Sequence, residues 1–155
     1  SELGQCTFDF LLDFGSFRDL QRHRHGVCRM PLLTPRFGFN QWYLDQLPME
    51  ARRTAEKLIR DQKSVVAKLK APPELRQYYL AMGFNISGRV TYGLPAAVYV
   101  TELRSGKMVH PTLRRLAHRM HHFLARRFPK LKLYSDLDPD DWDVRRGRQT
   151  IAEKK

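Results

Sequence analysis

Between Phe17 and Arg29 the chain reads FRDLQRHRHGVCR, which places Arg18, Arg22, Arg24 and Arg29 with His23 and His25 in thirteen residues. Like charges this close repel, so their presence points to an anion or a metal ion that gains from them. Arginine suits an anion, because its planar fork donates two parallel hydrogen bonds to a phosphate or carboxylate. On a continuous helix Arg18, Arg22, His25 and Arg29 fall on one face at spacings of four, three and four, a cationic stripe of the kind that grips phosphates. A solvated basic face is the simpler alternative, and the apolar run before it argues for a helix anchored on the core. Histidine suits a metal. His23 and His25 alternate, and His118, His121 and His122 crowd a later segment. No Glu, Asp or Cys stands at ligand spacing beside them and the arginines repel a cation, so no metal is expected. The acidic group Asp136, Asp138, Asp140, Asp141 and Asp143 lacks the EF-hand glycine and glutamate positions and reads as a solvated turn. HPTLRR (110–115) opens a helix whose free N–H groups offer positive potential to an anion. ELR (102–104) ends the preceding helix and aims Arg104 at the same loop.

The elements that must position these groups are legible from pattern. CTFDFLLDF (6–14) reads as a buried strand ending near Gly15, with Ser16 as N-cap of a helix through FRDLQRHR. Pro31, Pro35, Gly38, Asn40 and Pro48 predict irregular chain with at most a short strand. MEARRTAEKLIRDQKSVVAKLK (49–70) is the clearest helix, with Ala51, Ala55, Leu58, Ile59, Val65, Val66 and Leu69 on one face and Pro72–Pro73 ending it. A short helix is expected from Pro73 and a strand over NISGRVTYG (85–93). A buried helix is expected over LPAAVYVTELR (94–104), and an amphipathic one from Pro111 to Pro129 with Leu113, Leu116, Ala117, Met120, Phe123 and Leu124 inward. Without a βαβ rhythm, this predicts an α+β fold: a small, mainly antiparallel sheet packed with four or so helices over residues 1–135, then a charged C-terminal tail, extended or partly disordered, over 136–155.

Composition bounds the partners. The 155 residues suit one domain, and 42% hydrophobic with 28% charged residues is ordinary for a soluble globular protein. No apolar run approaches the roughly 20 residues that span a bilayer, and the N-terminus lacks a signal-peptide layout, so a cytoplasmic protein is expected. The opening SELGQCTFDF reads as cut from a longer chain. Cys6 and Cys28 exclude a disulfide framework and a four-thiolate zinc site. The net charge of +12 favours polyanions or phosphorylated ligands. Nucleic acid is one such partner, with Trp42, Tyr43, Tyr78 and Tyr79 available for stacking. No glycine-rich phosphate loop or serine elbow occurs.

Arg22-His23-Arg24, with Arg18 four positions earlier and a strand before that, resembles the RHRxxSxxxxSxRY signature of the flavin-dependent thymidylate synthases. With a two-residue insertion, TPRF (34–37) falls on SxRY. ELRSGKMVHPTLRRLAHRMHHFLARRFP resembles the closing segment of that family, with Arg104 on its Leu-Arg position and His110 on its loop histidine. The resemblance covers most of residues 6–130 and is closest to a domain of the long, two-domain members. It implies the fold of that family and a site between subunits of a homo-oligomer: a tetramer, or a pseudo-tetramer of two-domain chains. It also implies FAD as cofactor, dUMP as substrate, and methylenetetrahydrofolate and NADPH as co-substrates. Arg22, His23, Arg24 and His110 then fall to the cofactor, and Arg18, Thr34, Arg36 and Arg104 to the nucleotide. Arg104 and Thr34 are the expected catalytic groups, Arg104 favouring charge that develops on the pyrimidine ring. Departures from the signature are specific. Its first serine is Val27, followed by Cys28 and Arg29; its second serine is Thr34 and its tyrosine Phe37; and the flavin-binding Asn-x-Arg falls on Gly93-Leu94-Pro95. These leave open a catalytically degenerate nucleotide-binding or assembly domain of the same fold, and a basic nucleic-acid-binding module.

Overall fold

The computed structural model describes residues 4–146 and 149–152. Strand β1 (Gln5–Asp13) alternates strictly: Cys6, Phe8, Phe10 and Leu12 point inward, while Gln5, Thr7, Asp9 and Leu11 point out. The apolar run thus buries one face only, which a strand wedged between two layers would not do. β1 pairs antiparallel with β3 (Asn85–Gly93) over its whole length, from Gln5↔Gly93 to Asp13↔Asn85. The short β2 (Gly26–Arg29) adds to the other side of β3, giving the order β1-β3-β2. Two glycines exist for close approach. A Cβ on Gly88 would sit 2.6 Å from the Phe10 ring, and one on Gly26 2.2 Å from the Tyr92 ring that lies across it.

Helices cover one face of this three-stranded sheet. α5 (Leu94–Ser105) follows β3 directly, with Pro95 in its first turn, and α6 (Pro111–Arg127) returns beside it. Ala97 and Val100 of α5, and Leu113, Leu116, Met120 and Leu124 of α6, close the core on Phe8, Phe10, Ile86, Val90 and Tyr92. Phe17 and Leu20 of α1 (Phe14–Gln21) complete it. The architecture is α+β: a small three-stranded antiparallel sheet under about six helices.

Three local expectations are corrected. The N-cap of α1 is Asp13, whose carboxylate accepts from Ser16 N–H at 2.8 Å, so Ser16 lies inside the first turn. α1 then stops at Gln21 because Gly26, Val27 and their neighbours pair with β3. Of the expected cationic stripe only Arg18 is on the helix; His25 is in the connection and Arg29 points outward from β2. The long helix α3 (Met49–Lys68) forms, but the chain covers only part of its apolar face. Val66 is buried and Ile59 half-buried, whereas Leu58 and Val65 remain more than 60% exposed, at 63% and 62%. The proline-rich 30–48 stretch is irregular as predicted, and carries a turn at Pro35–Phe37 and a short helix α2 (Gln41–Asp45). A further short helix, α4 (Pro73–Arg76), begins at Pro73.

Of the charged tail, positions 147–148 and 153–155 lie outside the described residues, as do 1–3. Its first part is docked, not solvated. The extended chain over 134–143 crosses α5 and α6, with Tyr134 N–H donating to Glu102 at 2.8 Å and Asp136 N–H to Ser105 Oγ at 3.0 Å. Arg114, only 2% exposed, holds it down: Nε donates to Ser105 O, Nη1 to Asp141 O at 2.7 Å, and Nη2 pairs with Asp136 at 2.9 Å. A small hairpin, β4 (Val144–Arg146) and β5 (Gln149–Ala152), follows.

Candidate functional site

The Arg22-His23-Arg24 segment sits where α1 ends, and its neighbour is the last turn of α5. Arg104 Nε donates to His23 Nε2 at 2.9 Å, and Arg104 Nη2 donates to the Asp19 carbonyl at 2.8 Å. Since His23 Nε2 accepts, its proton is on Nδ1 and the ring is neutral. Burial, and then the Arg104 charge beside it, hold His23 below its ordinary pKa. Burial likewise lowers that of Arg104, whose charge Asp19 supports. Arg104 Nη1 has no hydrogen bond among the described residues, while Nε and Nη2 are anchored. The exposed Tyr99 ring meets His23 edge-on at 6.1 Å. Arg22 is exposed and pairs loosely with Asp19 at 3.3 Å. Arg24 is exposed and has no ion pair among the described residues. Arg18 is exposed on α1 and reaches Met82 Sδ.

His110 belongs to a second cluster at the start of α1. Its Nδ1 is 2.9 Å from Thr112 Oγ1 and 3.5 Å from Ser16 Oγ. The ring stacks on Tyr43 and meets Trp42 edge-on, with centroids at 5.3 and 4.6 Å. Tyr43 in turn donates to the fully buried Asp13 at 3.1 Å, and burial with the adjacent Asp13 charge raises the pKa of its phenol strongly. Burial lowers that of His110. Ser16 lies in the first turn of α1 and His23 two residues past its end, so this cluster sits at the opposite end of that helix from the first. His110 therefore ties α6 to α1 instead of meeting Arg104.

Thr34 and Arg36 are exposed on the Pro35–Phe37 turn, which Asn85 holds by donating to Phe37 O at 3.2 Å. Asn85 opens β3, whereas Gly26, two residues after the Arg-His-Arg segment, pairs with Tyr92 near its end. Seven strand residues separate these points, roughly 23 Å. The structure thus brings His23, Arg104 and the flanking Arg22 and Arg24 together and sets Thr34 and Arg36 apart.

Sequence reasoning passed over two groups and gave a third another role. Asp13 carried a usable signal, an acidic residue three positions before Ser16 at a strand–helix junction. Tyr43 was expected to be available for stacking on nucleic acid; its stack on His110 joins positions far apart in sequence. Tyr92 is 1% exposed, its hydroxyl has no partner among the described residues, and burial pushes its pKa up to about 12. Its strand pattern pointed to core, which hid a polar atom near Arg104.

The chain matches no protein-family model. It is similar to a UPF0159 protein of Chlamydia muridarum, 31% identical over 158 aligned positions covering 99% of this chain and 29% of that protein. A UPF0159 protein of Chlamydia pneumoniae is 32% identical over 146 positions, covering 88% of this chain and 27% of the relative. One from Thermoplasma acidophilum is 30% identical over 158 positions, covering 96% and 30%. This chain spans under a third of the length of the curated relatives it matches, and their names state neither substrate nor activity. Among the described residues no helix is long and apolar enough to cross a membrane.

Proposed function

We propose that the chain is a nucleotide-binding domain of the flavin-dependent thymidylate synthase kind, taking FAD and dUMP at the Arg22-His23-Arg24 and Arg104 site. The observation that carries this reading is the hydrogen bond from Arg104 to His23. The two segments on which the sequence resemblance rests lie 81 residues apart and meet through a hydrogen bond from a guanidinium to a neutral imidazole. The groups present suit the diphosphate of such a cofactor: Arg22 and Arg24 are exposed guanidiniums just past the end of α1, flanking His23, whose ring meets Tyr99. The ring end is less well provided, since Gly93 and Pro95 start α5 and bring no side-chain donor. When bound, the flavin supplies the hydride for reductive methylation of dUMP to dTMP, with methylenetetrahydrofolate giving the methylene and NADPH the electrons. The residues of this chain do the binding. Arg22 and Arg24 hold phosphate, His23 fixes the guanidinium plane of Arg104, and Arg104 favours the charge that develops on the pyrimidine ring.

Thr34 and Arg36, about 23 Å away along β3, reach such a ligand only from a second copy or a second domain of the same fold. A homo-oligomer, or a longer chain with two such domains, is the assembly this reading requires. A degenerate domain that binds nucleotide without turnover is the second reading, favoured by Val27, which stands at the signature serine and points outward from β2.

The test is a spectrum between 350 and 500 nm after incubation with FAD and desalting, followed by tritium release from 5-tritiated dUMP with methylenetetrahydrofolate and NADPH. Flavin retention with release supports the synthase. Binding of dUMP without either selects the degenerate domain, and failure to bind both FAD and dUMP removes both readings.

A further inference from the structure

The sheet face turned away from α5 and α6 carries an arrangement that the flavin and dUMP reading does not use. Arg29 of β2 stands directly opposite Arg89 of β3, and both side chains are exposed. Like charges directly opposite on neighbouring strands destabilise a sheet. Asp9 relieves only one of them: it faces Arg89 from β1 and takes both of its hydrogen bonds, at 2.6 and 2.9 Å. Arg29 is left with a guanidinium opposite and no carboxylate. Both guanidiniums are exposed, so water screens their repulsion, and an anion from outside removes it.

The surroundings show the shape of that anion. Arg29, Arg89, Leu11 and Met30 line an open depression of about 820 Å³, whose rim is Arg119 of α6. A second depression of about 410 Å³, lined by Arg115 and Arg119, continues from it and shares Leu11 and Arg119. The two form one trough over the half-exposed Leu11. Arg115 and Arg119 are four residues apart on the outer face of α6, so they stand roughly 6 Å apart along it. Neither they nor Arg29 have a side-chain hydrogen bond or ion pair among the described residues. Asp9 also lines the first depression, where Arg89 engages it; the rest of the walls are cationic and the floor is apolar.

We propose that this trough binds single-stranded nucleic acid, with backbone phosphates on Arg29, Arg115 and Arg119 and bases lying over Leu11 and Met30. A duplex is a convex cylinder that a short trough does not accept, and an anionic membrane would need its apolar contacts to protrude. A single strand offers both spaced phosphates and flat apolar faces, and arginine planes stack on bases as well as pairing with phosphates. This site is separate from the Arg104 site and stands or falls without it.

The test is fluorescence anisotropy of the purified protein with a labelled 12-nucleotide oligothymidylate at 50, 100 and 200 mM salt. Three phosphate contacts give a slope of log K against log salt near −2, about a 20-fold loss across that range. Arg29→Thr with Arg119→Thr should weaken binding at least tenfold and cut the slope to about −0.7. The charge-matched control Lys57→Ala with Arg60→Ala, on α3, should leave both unchanged. The Arg29→Thr, Arg119→Thr variant should keep or raise Tm, because both side chains are exposed and a like-charge pair is removed, so lost binding cannot be put down to lost folding. Arg115→Gln is the second, independent variant. Absence of binding at 50 mM salt overturns the proposal. So does affinity that the trough substitutions reduce no more than the α3 control does, or equal binding to phosphatidylglycerol vesicles or heparin.

Discussion

Removing the Arg114 side chain tests whether the docked C-terminal strap is part of the folded unit. Arg114 is 2% exposed, donates to the carbonyls of Ser105 and Asp141, and forms an ion pair with the carboxylate of Asp136. Breaking a buried ion pair by deleting one partner costs about 3–5 kcal/mol, mostly from stranding the other charge. Here the partner left behind is Asp136, whose side chain is 38% exposed and rehydrates, so the low end applies. Arg114→Ala should therefore destabilise by about 3 kcal/mol, which for a domain of this length lowers Tm by roughly 6–12 °C. Asp136→Asn keeps both carbonyl contacts and a neutral acceptor, and should cost only about 1 kcal/mol. Thermal melts by circular dichroism at pH 7, with amide exchange at Asp143 N–H (bonded to Lys107 O), give both quantities. A drop under about 2 °C for Arg114→Ala, or an Asp136→Asn loss as large as that of Arg114→Ala, would refute the clamp.

Three further outcomes are expected. Burial depresses the pKa of His23, His110, His118 and His121 below the ordinary 6.5. The folded chain then binds fewer protons than the unfolded one, so stability is full above about pH 6.5 and falls as the pH drops below it; urea midpoints at pH 7.5, 6.5 and 5.5 that stay level would contradict this. Gly88→Ala forces a methyl into the buried Phe10 ring and should cost about 1–3 kcal/mol, largely recovered when Phe10→Leu is added, as chemical denaturation of the double variant will show. Arg104→Ala frees His23 and should weaken dUMP binding at least tenfold by calorimetry while moving Tm little, since the guanidinium is only half-buried; Arg104→Lys, lacking the fork, should rescue little of that affinity.

What could be read in advance followed from periodicity. β1, β3, α5 and α6 each bury one face at the spacing their residues announce, so the α+β class was legible. β2 was not, because four residues become a strand only when β3, about sixty positions later, offers its edge. That pairing cut α1 short and sent Arg29 to the sheet face. Leu58 and Val65 read as core because a helical stripe does not say whether its own chain covers it. In the site, local pattern marked Arg22, His23 and Arg24 as cationic, but their meeting with Arg104 is a tertiary fact. The separation of Thr34 and Arg36 from them follows from the register of β3 alone.

The full-length pairing of β1 with β3 also sets a timetable. Every rung of that ladder joins a residue among the first 13 to one between 85 and 93, so no part of the central sheet closes locally. Closing so long a loop delays the contacts that repay it, and folding should be slow for a domain this small. During synthesis at about 5–20 residues per second, β1 waits roughly 4–16 seconds for its partner to be made. For that interval Phe8, Phe10 and Leu12 form a bare apolar strand edge, the kind of segment that chaperones hold and that otherwise finds another copy of itself.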